Sequence, residues 1–161
     1  PRFEKAAHEL RAYLEKRLMV RGRLAKTRAG KRLFTDAELD DYAYVVAGLN
    51  DYARVFRDES AGRLSRDLAS QAWGRFFTAA GWRREERPLL ATLHPEPALA
   101  DGALPSASFH LIAATQRLLE ARPDPSLAAS MAQALALAVP ALAKTPFDFP
   151  GGLESLKVQA K

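Results

Sequence analysis

The sequence predicts an all-α chain of antiparallel helical hairpins with short β-hairpin excursions. Three observations lead there. Apolar residues recur at three- and four-residue steps in successive stretches. Cap and stop residues bracket those stretches. Nowhere do strand and helix patterns alternate in the βαβ manner. With 161 residues, 48% of them apolar, residues 1–161 suit a single domain with a real core.

The clearest helix is Thr35–Phe56. Thr35 with Glu38 three residues on reads as a capping box, and Asp36 and Glu38 sit where the helix dipole favours negative charge. Tyr42, Val45, Val46, Leu49, Ala53 and Phe56 then form one apolar face, with Asp40 and Asp41 at its start. A first helix spans Arg2 to about Leu18. Its stripe of Phe3, Ala6, Ala7, Leu10, Tyr13, Leu14 and Leu18 is expected to bury against the Thr35 helix. Between the two, Arg21–Arg32 holds six basic residues and no acid. Glycines there predict one small hairpin, with strands near Arg23–Lys26 and Lys31–Phe34. A solvated hairpin is the expected reading, and a phosphate- or nucleic-acid-binding patch is the alternative. Phe34 alone would offer a base something to stack on, and single-strand binders interleave several aromatics.

A third helix, capped by Ser60, is expected to end at Trp73 with Gly74 closing it, and Phe76–Thr78 to form a short strand. Trp82–Pro105 contains four prolines and little periodicity, which reads as a long ordered loop. A fourth helix starts at Ser106 or Ser108 and runs to Ala121, with Leu111, Ile112, Thr115, Leu118 and Leu119 inward. Asp124 and Pro125 are a natural cap and first residue for a fifth, Pro125 to about Ala143. Its Ala- and Leu-rich circumference predicts heavy burial, and Pro140 should kink it or end its regular part. Thr145–Pro150 is expected to be extended and Gly152–Lys161 to form a last short helix.

Composition narrows the function classes. There is no cysteine, which excludes disulfides and thiolate chemistry. His8, His94 and His110 lack metal-ligand spacing, so no metal and no cofactor is expected. The first turn carries charges where a signal peptide needs an apolar run. The longest apolar stretch, Leu127–Leu142, is interrupted by Ser130, Gln133 and Pro140. The expectation is a cytoplasmic chain with no membrane and no nucleic-acid partner. The net charge of +5 is compatible with an anionic partner.

Three segments resemble one family. LDDYAYVVAGLNDYARVF, RFFTAAGWRREERPL and HPEPALADGALPSASF are similar, in order and spacing, to segments of the thioredoxin-domain-containing proteins typified by spermatogenesis-associated protein 20. The resemblance covers about Glu4 to Leu156. It implies the last part of an (α/α) toroid of the six-hairpin glycosidase-like type. The thioredoxin-like domain and the early hairpins of those proteins have no counterpart in this sequence. The resemblance therefore implies that the chain joins the remainder of a longer chain or forms a homo-oligomer. The family's Gly-Asn-Ser stands here as Ala107-Ser108-Phe109, and a serine cannot reproduce the paired donor and acceptor of an Asn amide.

The resemblance also implies a pocket among helix starts and their loops. The ligand-binding candidates are Asp40, Asp41, Tyr42, Asp101, Gly102, Ser106 and Ser108. Asp41 and Asp101 are the candidate catalytic carboxylates, because adjacent Asp40 and Asp41 point about a hundred degrees apart on a helix. Simpler readings stand beside these. Asp40 and Asp41 favour a helix N-terminus by charge alone, and Asp101-Gly102 makes a turn. Tyr42, Tyr44 and Tyr52 are sugar contacts or core. His110 is a base beside a pocket or a packing residue. Trp73, Phe76, Phe77 and Trp82 line a carbohydrate cleft or cover hairpin ends. The leading expectation is a toroid module that binds a sugar-like small molecule, its reaction unassigned. The alternative is a non-catalytic scaffold that docks a redox domain or a second subunit.

Overall fold

The computed structural model describes residues 2–88 and 94–152. It is mostly helical, with short antiparallel β-hairpins. Helix α1 is Arg2–Tyr13, and a single wider π turn, Leu14–Leu18, extends it. The expected burial of its apolar stripe is not found. No α1 residue is buried, and Phe3 is 85% and Leu10 61% exposed. Polar side chains attach it instead. Arg11 donates to Asp58 at 2.8 Å, and the His8 ring meets Tyr52 and Phe56.

The basic segment makes two hairpins where one was expected. Strand β1 (Met19–Val20) pairs with β2 (Arg23–Leu24), and β3 (Thr27–Ala29) pairs with β4 (Arg32–Phe34). The extra turn follows from Arg21 and Gly22, both left-handed at φ 51° and 77°. Two successive positive φ values give the tight turn whose twist matches a hairpin.

Helix α2 is Leu39–Phe56, so it starts four residues after Thr35. The expected Thr35–Glu38 box is replaced by one in which Glu38 is the cap and Asp41 reaches back to accept from the Glu38 amide at 2.8 Å. Tertiary partners set the shift. Lys26 pairs with Glu38, and the Leu39 amide donates to the Arg84 carbonyl at 2.9 Å. Helix α3, Glu59–Phe76, is capped by Asp58, which accepts from the Ala61 amide, and not by Ser60. It runs past Gly74. That glycine costs roughly 1 kcal/mol in helix propensity, and burying Trp73 and Phe76 outweighs it. Strands β5 (Phe77–Thr78) and β6 (Gly81–Trp82) close a third hairpin, and Trp82 bridges to Glu96.

The long loop therefore holds a strand contact, and its Ala98 and Leu99 are buried. Its residues 89–93 lie outside the described residues. Helix α4 is Ala107–Ala121, with Ser106 as cap. Helix α5 is Pro125–Lys144, where Asp124 accepts from the Ser126 and Leu127 amides. It continues through Pro140. Its burial is one-sided, correcting the expectation of heavy burial. Leu127, Ala134, Leu135, Ala138 and Leu142 form the inner stripe, and Val139 is half exposed. Ala and Leu serve both faces of this helix, so composition hid the stripe. By length and composition α5 could cross a membrane, a test that core helices also pass. Beyond it, Pro146–Asp148 forms a 3-10 turn where an extended segment was expected. The expected last helix lies outside the described residues beyond Gly152.

Helix α2 is central and packs most extensively on α3 and α4. The α2–α3 pair is antiparallel. Tyr42, near the start of α2, meets Gln71 and Phe76 late in α3. Helices α2 and α4 run the same way, since Tyr44 reaches Pro105 just before α4. Two buried polar side chains of α3 find partners across the core, whereas the Trp82 indole N–H has none among the described residues. Trp73 donates to Thr115 at 2.9 Å, and Ser65 donates to the Val46 carbonyl at 2.8 Å.

Candidate functional site

The shared N-terminal end of α2 and α4 gathers most of the predicted residues. Asp101 anchors the loop before α4. One carboxylate oxygen accepts from the Ser106 amide at 2.6 Å, and the other from the Gly151 amide at 2.7 Å. The Asp101 amide donates in turn to the Asp148 carbonyl. A single side chain thus ties the α4 entry to the chain after α5. Gly102 is exposed, and its amide donates to Leu104. Ser106 and Ser108 are buried and share a hydroxyl contact of 2.9 Å. Ser106 also accepts from Phe109, and Ser108 from the Leu99 amide. Both serines serve the fold of the helix start.

Helix α2 supplies the facing wall. The Tyr44 hydroxyl donates to the Pro105 carbonyl at 3.0 Å, and its ring lies 4.4 Å from the His110 ring. Burial pushes the Tyr44 phenol up, and Asp40 and Asp101 push it further. Burial likewise lowers His110, with Arg117 adding and Asp51 opposing. Asp40, Tyr44, Asp101 and His110 are each half-buried, so they form a partly open rim of acceptors around two rings.

Asp41 and Tyr42 take other places. Asp41 serves the start of α2 near Lys26, and burial raises its pKa chiefly. Tyr42 is fully buried. Its hydroxyl accepts from the Leu24 amide and donates to Gln71, both at 3.4 Å, so it holds the β1–β2 hairpin on the core. No contact among the described residues links Asp41 with Asp101. Among Tyr42, Tyr44 and Tyr52, only Tyr44 joins this cluster. Its one-turn spacing from Asp40 is the signal that the two share a face.

Two cavities lie elsewhere. Trp73 and Phe77 border a cleft of about 390 Å³ with Ser126, Ser130 and Gln133. The rings of Trp73, Phe77 and Trp82 pack on one another within 5.3 Å, which leaves little aromatic face for a ligand. A larger groove, about 940 Å³, opens at the other end of α2 and α4. Six arginines line it: Arg54, Arg57, Arg63, Arg66, Arg117 and Arg122. The Arg21–Arg32 run is denser in sequence, whereas these six are spread over α2, the α2–α3 turn, α3 and α4 with its C-cap, so no local pattern marks them. No group of three or more potential metal ligands occurs among the described residues.

Compared with known proteins, the chain matches no family model and no curated protein. The resemblance to the thioredoxin-domain-containing proteins therefore rests on the three sequence segments that carry it.

Proposed function

We propose that this chain is a ligand-binding module, part of an (α/α) toroid of the six-hairpin glycosidase-like type, that holds a sugar-like small molecule where α2 and α4 begin. The observation that supports it is the half-buried cluster of Asp40, Tyr44, Asp101 and His110. Carboxylates that accept from ligand hydroxyls, beside an aromatic edge, suit a neutral polyol.

The cluster favours binding over turnover. Asp41 is engaged in starting α2, and Asp101 accepts from two backbone amides. A glycosidase pair must face each other across a bond, ~6.5–9.5 Å apart in an inverting enzyme. Calorimetric titration with a panel of neutral monosaccharides tests the proposal. Saturable binding to the parent that is weakened by Asp40→Asn and by Tyr44→Ala is the expected result. Binding by no member of the panel, or binding that ignores both substitutions, would overturn it.

A second reading, the non-catalytic scaffold, is favoured by one observation. Phe3 and Leu10 on α1 and Val139 on α5 stand exposed. In this reading those faces pack on a second copy or on the remainder of a longer chain.

A further inference from the structure

We infer that the arginine-lined groove at the C-terminal ends of α2 and α4 is a second binding site, for a small molecule carrying two linked phosphates. The site is independent of the sugar-like reading and lies at the opposite end of the same helices.

Charge is the first support. Six arginines line the groove against three carboxylates, Asp58, Glu59 and Glu120. The surplus of three is more than half of the chain's net +5. Two of those carboxylates are already engaged. Asp58 pairs with Arg11, which lies outside the groove, and Glu59 lies 3.4 Å from Arg63. Arg66 is also engaged, donating to the Leu118 and Arg122 carbonyls at 3.2 Å, which closes the end of α4. Arg57, Arg117 and Arg122 have no carboxylate partner among the described residues. Three guanidinium groups facing one groove repel one another unless an anion joins them.

Shape is the second support. Ala53, Gly62, Leu118 and Ala121 contribute small and apolar surface between the arginines. At Gly62 a side chain would meet Ala53 at 3.6 Å, so α2 and α3 run close together here. The volume exceeds what one phosphate fills. The unpaired forks of Arg57 on the α2–α3 turn, Arg117 on α4 and Arg122 just past it suit paired phosphate groups, since each guanidinium can bind two oxygens at once. No Phe, Tyr or Trp lines the groove, and this absence speaks against single-stranded nucleic acid, which needs stacking surface.

Arg57 supplies a clean test. It closes α2 in the left-handed conformation, φ 53°, a place where glycine is cheaper. Arg57→Gly should therefore keep or raise the denaturation midpoint while removing a ligand contact. Inorganic pyrophosphate is the probe, titrated by calorimetry, with inorganic phosphate as the single-anion control. The expected result is saturable pyrophosphate binding, tighter than phosphate, and about tenfold weaker in Arg57→Gly and in Arg117→Ala. Arg28→Ala, on β3, should bind as the parent does. Absence of pyrophosphate binding would overturn the inference. So would binding that survives both groove substitutions, or that is lost in Arg28→Ala alone. Tight binding of a single-stranded oligonucleotide that pyrophosphate cannot displace would assign the groove to nucleic acid and overturn it as well.

Discussion

His110 and Asp41 are two half-buried titratable groups whose pKa values move in opposite directions, and each has a consequence for stability. Burial lowers His110 below its ordinary 6.5. Unfolding then takes up a proton in the window between that lowered value and 6.5. The stability His110 contributes is present above pH 6.5 and is lost as pH falls through the window. His110→Phe keeps a ring against Tyr44 and removes the titration. A urea midpoint that falls less between pH 7 and 5.5 in this variant than in the parent is the expected outcome. Asp41 runs the other way. Burial raises it above 3.8, so its contribution is present below 3.8 and is lost as pH rises through its raised value. Asp41→Asn keeps an acceptor for the Glu38 amide and removes a buried charge, so denaturation at pH 7 should show equal or greater stability. Which aspartate faces α4 was not legible in the sequence. Asp40 and Asp41 differ by one helical step, and only the position of the neighbouring helix decides between them.

The elements themselves were largely legible, and their ends less so. Helices α4 and α5 begin at Ser106 and Asp124 as their cap residues indicate. The start of α2 lies four residues beyond Thr35 because it is set from outside the helix, by Lys26 and by the Arg84 carbonyl. This gives a sharp contrast between two substitutions. Asp41→Ala removes the acceptor at the helix start and should cost about 1 kcal/mol. Thr35→Ala lies outside the helix and should leave the denaturation midpoint unchanged. At the β5–β6 turn, Gly81 has φ 122°, and a side chain there would press directly on the Glu96 carbonyl. The same carbonyl accepts from the Trp82 amide at 2.7 Å. Gly81→Ala should therefore cost about 3 kcal/mol or more, read as a lowered thermal midpoint. A glycine in the sequence marks such a place, but the chain that approaches it comes from fifteen residues further on and is visible only in the fold.

Across the whole molecule, the mostly helical make-up followed from periodicity, whereas the pairing of α1 and the surfaces left open did not. The stripe on α1 reads as buried, yet the helix attaches through His8 and Arg11 and leaves Phe3 and Leu10 exposed. The face of α5 around Val139 is exposed as well. Each Å² of apolar surface left in water forgoes ~25 cal/mol, and contiguous patches above a few hundred Å² are rare on monomers. Light scattering at micromolar concentration should therefore report a dimer or larger assembly, and Leu10→Lys should shift it toward monomer. The arginine groove escaped the sequence because its members lie on the α2–α3 turn and on α2, α3 and α4. Amide shift mapping during a monosaccharide titration tests for the proposed sugar-like ligand where α2 and α4 begin. The largest shifts should fall on Asp40, Tyr44, Asp101, Ser106 and His110, saturate together, and leave Arg57 and Arg117 unmoved. Shifts confined to the arginine groove, or scattered and unsaturable over the surface, would contradict the proposed site.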